Sequence, residues 1–115
     1  MTKEIFWVGS SLDDLSAMPL EVKRLIGYAL RELQEGLWPE AVKPLPAYGA
    51  GVIEIVASHA SEAYRSVQIY NLEDRIYVLH CFHKKSSRGK AIPKQDKATI
   101  EARLKAVKKQ TGKGR

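Results

Sequence analysis

The spacing of apolar residues along the chain changes several times, and each change predicts a different element. Residues 3–8 are mostly β-branched or aromatic, which predicts a strand with both faces largely covered. Pro19 interrupts a short helix and opens a second one. Between residues 20 and 36 the apolar positions repeat with a 3.6-residue period, which predicts one buried helix face made of Val22, Leu25, Ile26, Ala29, Leu30 and Leu33.

After a proline-rich connector that cannot be helix interior, three runs rich in Val, Ile and Tyr predict three strands, at 51–57, 63–70 and 75–83. Short polar links favour an antiparallel meander. Because side chains alternate along a strand, we expect one face of the third run to carry Ile76, Val78, His80, Phe82 and Lys84. A last, basic helix begins near Pro93 and buries Ile100, Leu104 and Val107.

The order β-α-α-β-β-β-α predicts an α+β fold. We expect an N-terminal helical hairpin and a C-terminal basic helix on one side of a mostly antiparallel sheet. The length of 115 residues and the mass of 12.9 kDa predict a single domain spanning residues 1–115.

Charge divides the chain into two unequal parts. Residues 1–83 hold 7 Lys and Arg against 11 Asp and Glu, whereas residues 84–115 hold 12 against 2. A basic segment on a more acidic body is typical of proteins that bind a polyanion such as RNA, because each cation near a phosphate releases counterions. The alternative interpretation is a solvated basic tail that only increases solubility.

Several classes of protein are disfavoured. No apolar run is long enough to span a bilayer and the first residues do not resemble a secretory signal, so we expect a cytoplasmic protein without a membrane partner. The single cysteine, Cys81, cannot form an internal disulfide. His80 alternates with Cys81 and His83 along the strand, which disfavours a shared metal site. We expect no metal and no cofactor.

The end of the third strand is the strongest candidate for chemistry. His83, Lys84 and Lys85 place three donors there, and Arg65 on the neighbouring strand and Lys43 in the connector are expected to converge on them. Such a cationic patch suits phosphodiester stabilisation. Glu54 is expected to pair with Arg65 or a lysine rather than to act as a general base. Tyrosine rings among these cations can stack on unpaired bases, and the candidates are Tyr48, Tyr64, Tyr70 and Tyr77.

Three stretches of the chain resemble one known family. They are G-V-I-E-I at 51–55, Y-R-S-V at 64–67 and I-Y-V-L-H-C-F-H-K-K at 76–85. Together they are similar to the phage-derived HigB-type toxins of the RelE/ParE superfamily, whose pattern reads G-hydrophobic-x-E-L-R, Y-R-V and L-L-H-A-F-x-K-K. The chain departs from this pattern at Val56, where the family commonly has Arg or Lys, and in a longer link at 60–63.

The resemblance implies a RelE-like fold and a type II toxin, an mRNA interferase that cleaves mRNA on the ribosome. It also implies a cognate helix-turn-helix antitoxin of the HigA type, with the ribosome and mRNA as the other partners. The family reaction needs no metal, since the 2′-OH of the RNA attacks the adjacent phosphate.

The resemblance also implies residue roles. Arg65 and Lys84 would stabilise the phosphorane, and His83 would transfer protons, with Lys84 or Lys85 as its substitute. Glu54 would support them. We expect further RNA or ribosome contacts from Lys43, Arg88, Lys90, Lys94, Lys108 and Lys109. Two other functions remain open: a non-catalytic binding module of the same fold, and a ParE-like inhibitor of DNA gyrase.

Overall fold

Five strands form one sheet in the order β1-β5-β4-β3-β2. The structure is a computed structural model that describes residues 2–84 and 91–112. Strands β2 to β5 pair antiparallel, whereas β1 pairs parallel with β5. The elements in chain order are β1 (Glu4–Trp7), α1 (Ser11–Ser16), α2 (Leu20–Gln34), β2 (Val42–Pro44), a 3-10 turn (Pro46–Tyr48), β3 (Val52–His59), β4 (Glu62–Leu72), β5 (Arg75–Lys84) and α3 (Lys94–Thr111).

The predicted meander of β3, β4 and β5 is confirmed, but the connector contains a strand that the sequence did not predict. Strand β2 pairs with β3 at the edge of the sheet. Pro44 is tolerated there because an edge strand has one side on which no backbone donor is needed. The link between β3 and β4 is also tighter than expected. His59 pairs with Glu62, so the turn holds only Ala60 and Ser61, both with positive φ.

The helices lie on both faces of the sheet, so the prediction that they share one side is wrong. Helices α1 and α2 cover the face that carries Ile53, Ile55, Ile76 and Val78. Helix α3 covers the other face, against Val52, Val67, Tyr77 and Leu79. The apolar strand runs already indicate two covered faces, but which helix covers which face depends on tertiary packing. No helix in the described part of the chain is long and apolar enough to cross a membrane.

Two of the expected buried positions are exposed. On α2, Val22, Ile26 and Leu33 are fully buried, but Leu25 is 51 % exposed because it lies at the margin of the apolar stripe. Strand β1 is also not covered on both faces. It lies at the edge of the sheet, where Glu4 is exposed and Phe6 is 38 % exposed, although Phe6 stacks on Tyr77.

A β-bulge at Leu79 reverses the side-chain alternation of β5. Val67 pairs with His80 and the next residue, Gln68, pairs with Val78, so β5 has one extra residue. Ile76 and Val78 therefore face α1 and α2, whereas Leu79 and Phe82 face α3. The expected single face from residue 76 to residue 84 is wrong for this reason. Beyond the bulge, each side chain of β5 lies on the face opposite to the one that simple alternation predicts.

Arg103 of α3 holds the bulge in place. Its Nη1 donates to the Leu79 carbonyl oxygen at 2.8 Å, and its Nη2 donates to Ser10 Oγ at 3.1 Å. The guanidinium packs on Gly9, whose φ is +56°, and a Cβ at Gly9 would lie 2.7 Å from Arg103 Cζ. Glycine is required there because a side chain would displace the guanidinium. One arginine thus connects α3, β5 and the entry to α1.

Candidate active site

Strands β2, β3 and β4 bring the first candidate residues together on the α3 face of the sheet. Lys43 is opposite Glu54, and Val56 is opposite Arg65. These four residues line a depression of about 200 Å³, which we call the cation pocket. Helix α3 leaves this end of the sheet open, because its buried residues pack further along, against Val52 and Tyr77. The pocket is small, concave and accessible.

Arg65 and Glu54 form a buried ion pair at the base of the cation pocket. Arg65 Nη1 donates to Glu54 Oε1 at 3.2 Å, and both side chains are about 90 % buried. The expected pairing of Glu54 is thus present. A buried charge requires a partner, because the cost of desolvation is otherwise unopposed. Glu54 also fixes the direction of the guanidinium, so the remaining Arg65 donors are held in position before any ligand arrives.

Lys84 reaches the same face at the end of β5. Lys84 is only 4 % exposed, and it is paired with Ala63 of β4. Burial lowers the pKa of the Lys84 ammonium, the positive charge of Arg65 lowers it further, and Glu54 partly opposes both effects. Lys84 is therefore electrostatically coupled to both members of the ion pair. At a given pH, a larger fraction of its side chain is in the neutral amine form than in a solvated lysine.

His83 lies on the other face of the sheet, so the structure does not bring it together with Arg65 and Lys84. Its ring stacks on Tyr64 with centroids 4.4 Å apart, and its Nε2 contacts a carboxylate oxygen of Glu62. Tyr64 belongs to the core beneath α1 and α2. The expected convergence of His83 with the cations is wrong, because adjacent residues of a strand point in opposite directions.

The other predicted RNA contacts are dispersed along α3 or fall outside the described residues. Lys94 is exposed at the start of α3, and Lys108 and Lys109 are exposed near its end. The predictions for Lys85, Arg88 and Lys90 lie outside the described residues. Lys43 is exposed at the rim of the cation pocket.

Two further residues lie on the α3 face of the sheet: His80, which was assigned no site role from the sequence, and Tyr48, which was a candidate for stacking on unpaired bases. His80 faces α3, where its Nε2 is 2.7 Å from Asp96 Oδ1 and its ring stacks on Phe82. Tyr48 lies beside the pocket. Burial raises the pKa of its hydroxyl, and so do the carboxylates of Glu101 and Glu54. The sequence did not predict the surroundings of His80, because the bulge changes the face of the sheet on which it lies.

The remaining tyrosines and Cys81 pack against other groups of the protein. Tyr64, Tyr70 and Tyr77 each contact another ring of the protein. Burial raises the pKa of the Cys81 thiol to about 11, although a hydrogen bond with Ser66 lowers it in part. Within residues 2–84 and 91–112, no group of three or more His, Cys, Asp or Glu side chains is arranged to hold a metal ion.

Comparison with known proteins identifies the family. The family model described as "Phage derived protein Gp49-like (DUF891)" matches residues 13–105, which include most of α1, all elements from α2 to β5, most of α3 and all four residues of the cation pocket. A search of curated proteins gives no match. Members of this family are toxins of toxin-antitoxin systems and are generally nuclease-like, and such a toxin implies a cognate antitoxin. The chain belongs to the Gp49-like phage-derived family, which is part of the RelE/HigB-type toxin family.

Proposed function

We propose that the chain is an mRNA interferase, a metal-independent endoribonuclease that cleaves mRNA on the ribosome and is silenced by a HigA-like antitoxin. The observation that carries this proposal is the Arg65–Glu54 pair beside Lys84 and Lys43. Three cations share one end of one sheet face, although up to 41 positions separate them in the chain. Membership of a toxin family that is generally nuclease-like supports the same function.

The proposed reaction uses a nucleophile that belongs to the RNA. The 2′-oxygen forms a bond to the adjacent phosphorus, the bond from phosphorus to the 5′-oxygen breaks, and the products are a 2′,3′-cyclic phosphate and a 5′-OH. Arg65 stabilises the extra negative charge of the phosphorane. Its fixed guanidinium needs little reorganisation as that charge develops, and one such donor contributes roughly 100- to 1,000-fold. Lys43, at the rim, orients the neighbouring phosphate.

Lys84 takes the role of proton acceptor in this proposal. The lowered pKa of its ammonium makes a neutral amine available to remove the proton of the 2′-OH, and the departing 5′-oxygen is protonated from solvent. His83 was the first choice from the sequence, but its position on the opposite face removes it from this role. The substitute named from the sequence, a lysine with a lowered pKa, fits the geometry.

The test is expression in growing cells followed by mapping of mRNA ends. Codon-phased cuts support the proposal. Broken DNA would instead indicate gyrase inhibition, and unhindered growth would indicate a binding module without activity.

The matched variant is the double substitution Arg65→Gln and Glu54→Gln, with Arg24→Gln on the exposed surface of α2 as the control. Arg65→Ala alone is unsuitable, because it would leave the Glu54 carboxylate buried and unpaired at a cost of about 3–5 kcal/mol. The double variant replaces both charges with uncharged amides, so no buried charge is left without its partner. We expect it to fold and to lose cleavage by roughly 100-fold or more. Undiminished cleavage would remove Arg65 from the reaction.

A further inference from the structure

A second depression lies beside the cation pocket, between α3 and the turn at Pro46–Tyr48. Its volume is about 700 Å³, within the range of pockets that hold small organic ligands. We call it the α3 groove. It is lined by Tyr48, Glu101, Leu104, Lys105, Lys108 and Lys109. The proposed reaction assigns no role to this groove.

The α3 groove combines an aromatic ring with several lysines. Residues 101, 104, 105 and 108 follow one another at helical spacing, so a single stripe of α3 faces the turn. The half-buried ring of Tyr48 offers apolar surface above the buried Leu104 side chain, and three exposed lysines line the same groove. An aromatic ring beside several cations suits an unpaired nucleotide, because the base can stack while the phosphate is neutralised.

The Lys108 side chain extends to the backbone of the turn. A Cβ at Gly49 would lie 3.3 Å from Lys108 Nζ, and Gly49 has a φ of +113°, which disfavours any other residue. The ammonium group therefore lies close to the residue that follows Tyr48. Its positive charge and the Tyr48 ring therefore line the same groove.

The α3 groove adjoins the cation pocket. Tyr48 is close enough to Glu54 of the pocket and to Glu101 of the groove for both carboxylates to influence it. Lys43, which lines the pocket, precedes the same turn by a few residues. Strand β2, which carries Lys43 of the pocket, thus leads directly into the turn that carries Tyr48 of the groove.

We propose that the α3 groove binds a nucleotide of the single-stranded RNA next to the cleaved linkage, with its base on Tyr48 and its phosphate at Lys108 and Lys105. This inference rests on the proposed function, since it places the substrate of that reaction. Glu101 repels a phosphate, so the phosphate lies toward the Lys108 end of the groove. The groove thus extends the substrate contact beyond the scissile bond.

The test is binding of a fluorescent single-stranded RNA oligonucleotide in which every ribose is 2′-O-methylated and so cannot be cleaved. We expect Tyr48→Ala to weaken binding about tenfold, whereas Tyr48→Phe, which keeps the ring, binds within about twofold of the parent. We expect Lys108→Ala to weaken binding and to reduce the dependence of affinity on salt by about one phosphate contact. Lys97→Ala is the matched control, because it removes one exposed lysine of the same helix outside the groove.

Equal binding by Tyr48→Ala and the parent overturns the proposal, and so does an equal loss in Lys97→Ala and Lys108→Ala. A Lys108→Ala variant that binds the oligonucleotide normally but associates poorly with ribosomes overturns it as well, because the groove would then contact the ribosome. The cleavage assay separates this proposal from the function on which it rests. Cleavage that is insensitive to the groove variants refutes the groove alone, whereas Tyr48-dependent binding without cleavage refutes the nuclease alone.

Discussion

Lys84 has surroundings that differ from those of an ordinary, solvated lysine. It is buried, it lies near the guanidinium of Arg65, and both conditions lower the pKa of its ammonium. In the proposed reaction the neutral form is the active one. The lowered pKa therefore shifts activity toward physiological pH, because the neutral fraction grows as the pH approaches the pKa from below.

We expect the cleavage rate to rise with pH and to level off once Lys84 is neutral. The variant Lys84→Arg keeps the positive charge but cannot lose its proton. It should cut at least about 100-fold more slowly and show no such rise. The measurement is the single-turnover cleavage rate between pH 6 and pH 9.5, with the exposed-site variant Lys97→Arg as control. A Lys84→Arg profile that rises like that of the parent would contradict the role of Lys84.

Burial makes Cys81 less reactive, because it raises the pKa of the thiol. Its thiol pKa of about 11 leaves about one thousandth of the group as thiolate at pH 8. We expect the folded chain to react very slowly with a thiol reagent at that pH, and the chain unfolded in urea to react at once. Rapid reaction of the folded chain would show that the region of Cys81 opens readily.

At the scale of elements, α2 shows how far a periodic pattern can be trusted. The pattern grouped Leu25 with Ile26, but Leu25 is largely exposed and Ile26 is fully buried. A stripe read from spacing has uncertain margins, since the tilt of the helix on the sheet decides which marginal residue is covered.

This difference gives a matched pair of substitutions. We expect Ile26→Ala to reduce the free energy of unfolding by about 2–5 kcal/mol, because it leaves a cavity in the core. We expect Leu25→Ala to change it by less than about 0.5 kcal/mol, because the side chain is already in water. Urea titration followed by circular dichroism measures both values. Similar losses of unfolding free energy in the two variants would indicate that Leu25 contributes to the core as Ile26 does.

The bulge in β5 is the element that assembles the candidate site. Without the extra residue at Leu79, Lys84 would face α1 and α2, on the same side as Val78, and not Arg65. A charge-assisted hydrogen bond from Arg103 to the Leu79 carbonyl oxygen holds this bulge, and such a bond contributes about 1.5–3 kcal/mol.

We therefore expect Arg103→Ala to lower the free energy of unfolding by about 2 kcal/mol and to reduce cleavage as well. The variant Arg103→Lys should recover only part of either property, because one ammonium cannot reach Leu79 and Ser10 with the geometry of a guanidinium. Urea titration and the cleavage assay measure the two effects. If Arg103→Ala unfolds like the parent, the bulge is held by other contacts.

At the scale of the whole molecule, the fold could be predicted from sequence further than the site. Strands β3, β4 and β5 were visible because their apolar runs are separated by short links, and these links also brought Arg65, Glu54 and Lys84 onto neighbouring strands. The face on which α3 packs, the strand β2 and the bulge were not visible, since each depends on contacts between distant parts of the chain. The error about His83 follows from the same limit.

Charge is also divided across the whole molecule. Helix α3 carries five lysines and one arginine against two acidic residues, whereas α1 and α2, on the opposite side of the sheet, together carry three basic against four acidic residues. We expect RNA affinity to fall with salt with a logarithmic slope of about −3, since each of roughly four phosphate contacts with a single strand contributes about 0.7. Fluorescence anisotropy at increasing KCl measures the slope. A slope near zero would favour the interpretation of a solvated basic segment.

The connection made by Arg103 has a consequence for the order in which this protein is synthesised. The ribosome makes α3 after every strand of the sheet, so the emerging polypeptide has β5 long before it has the arginine that fixes the bulge. Until then the α3 side of the sheet is bare and Lys84 has no fixed orientation. A chain that stops before Arg103 therefore has all four residues of the cation pocket but lacks the contact that holds the bulge and directs Lys84 toward Arg65.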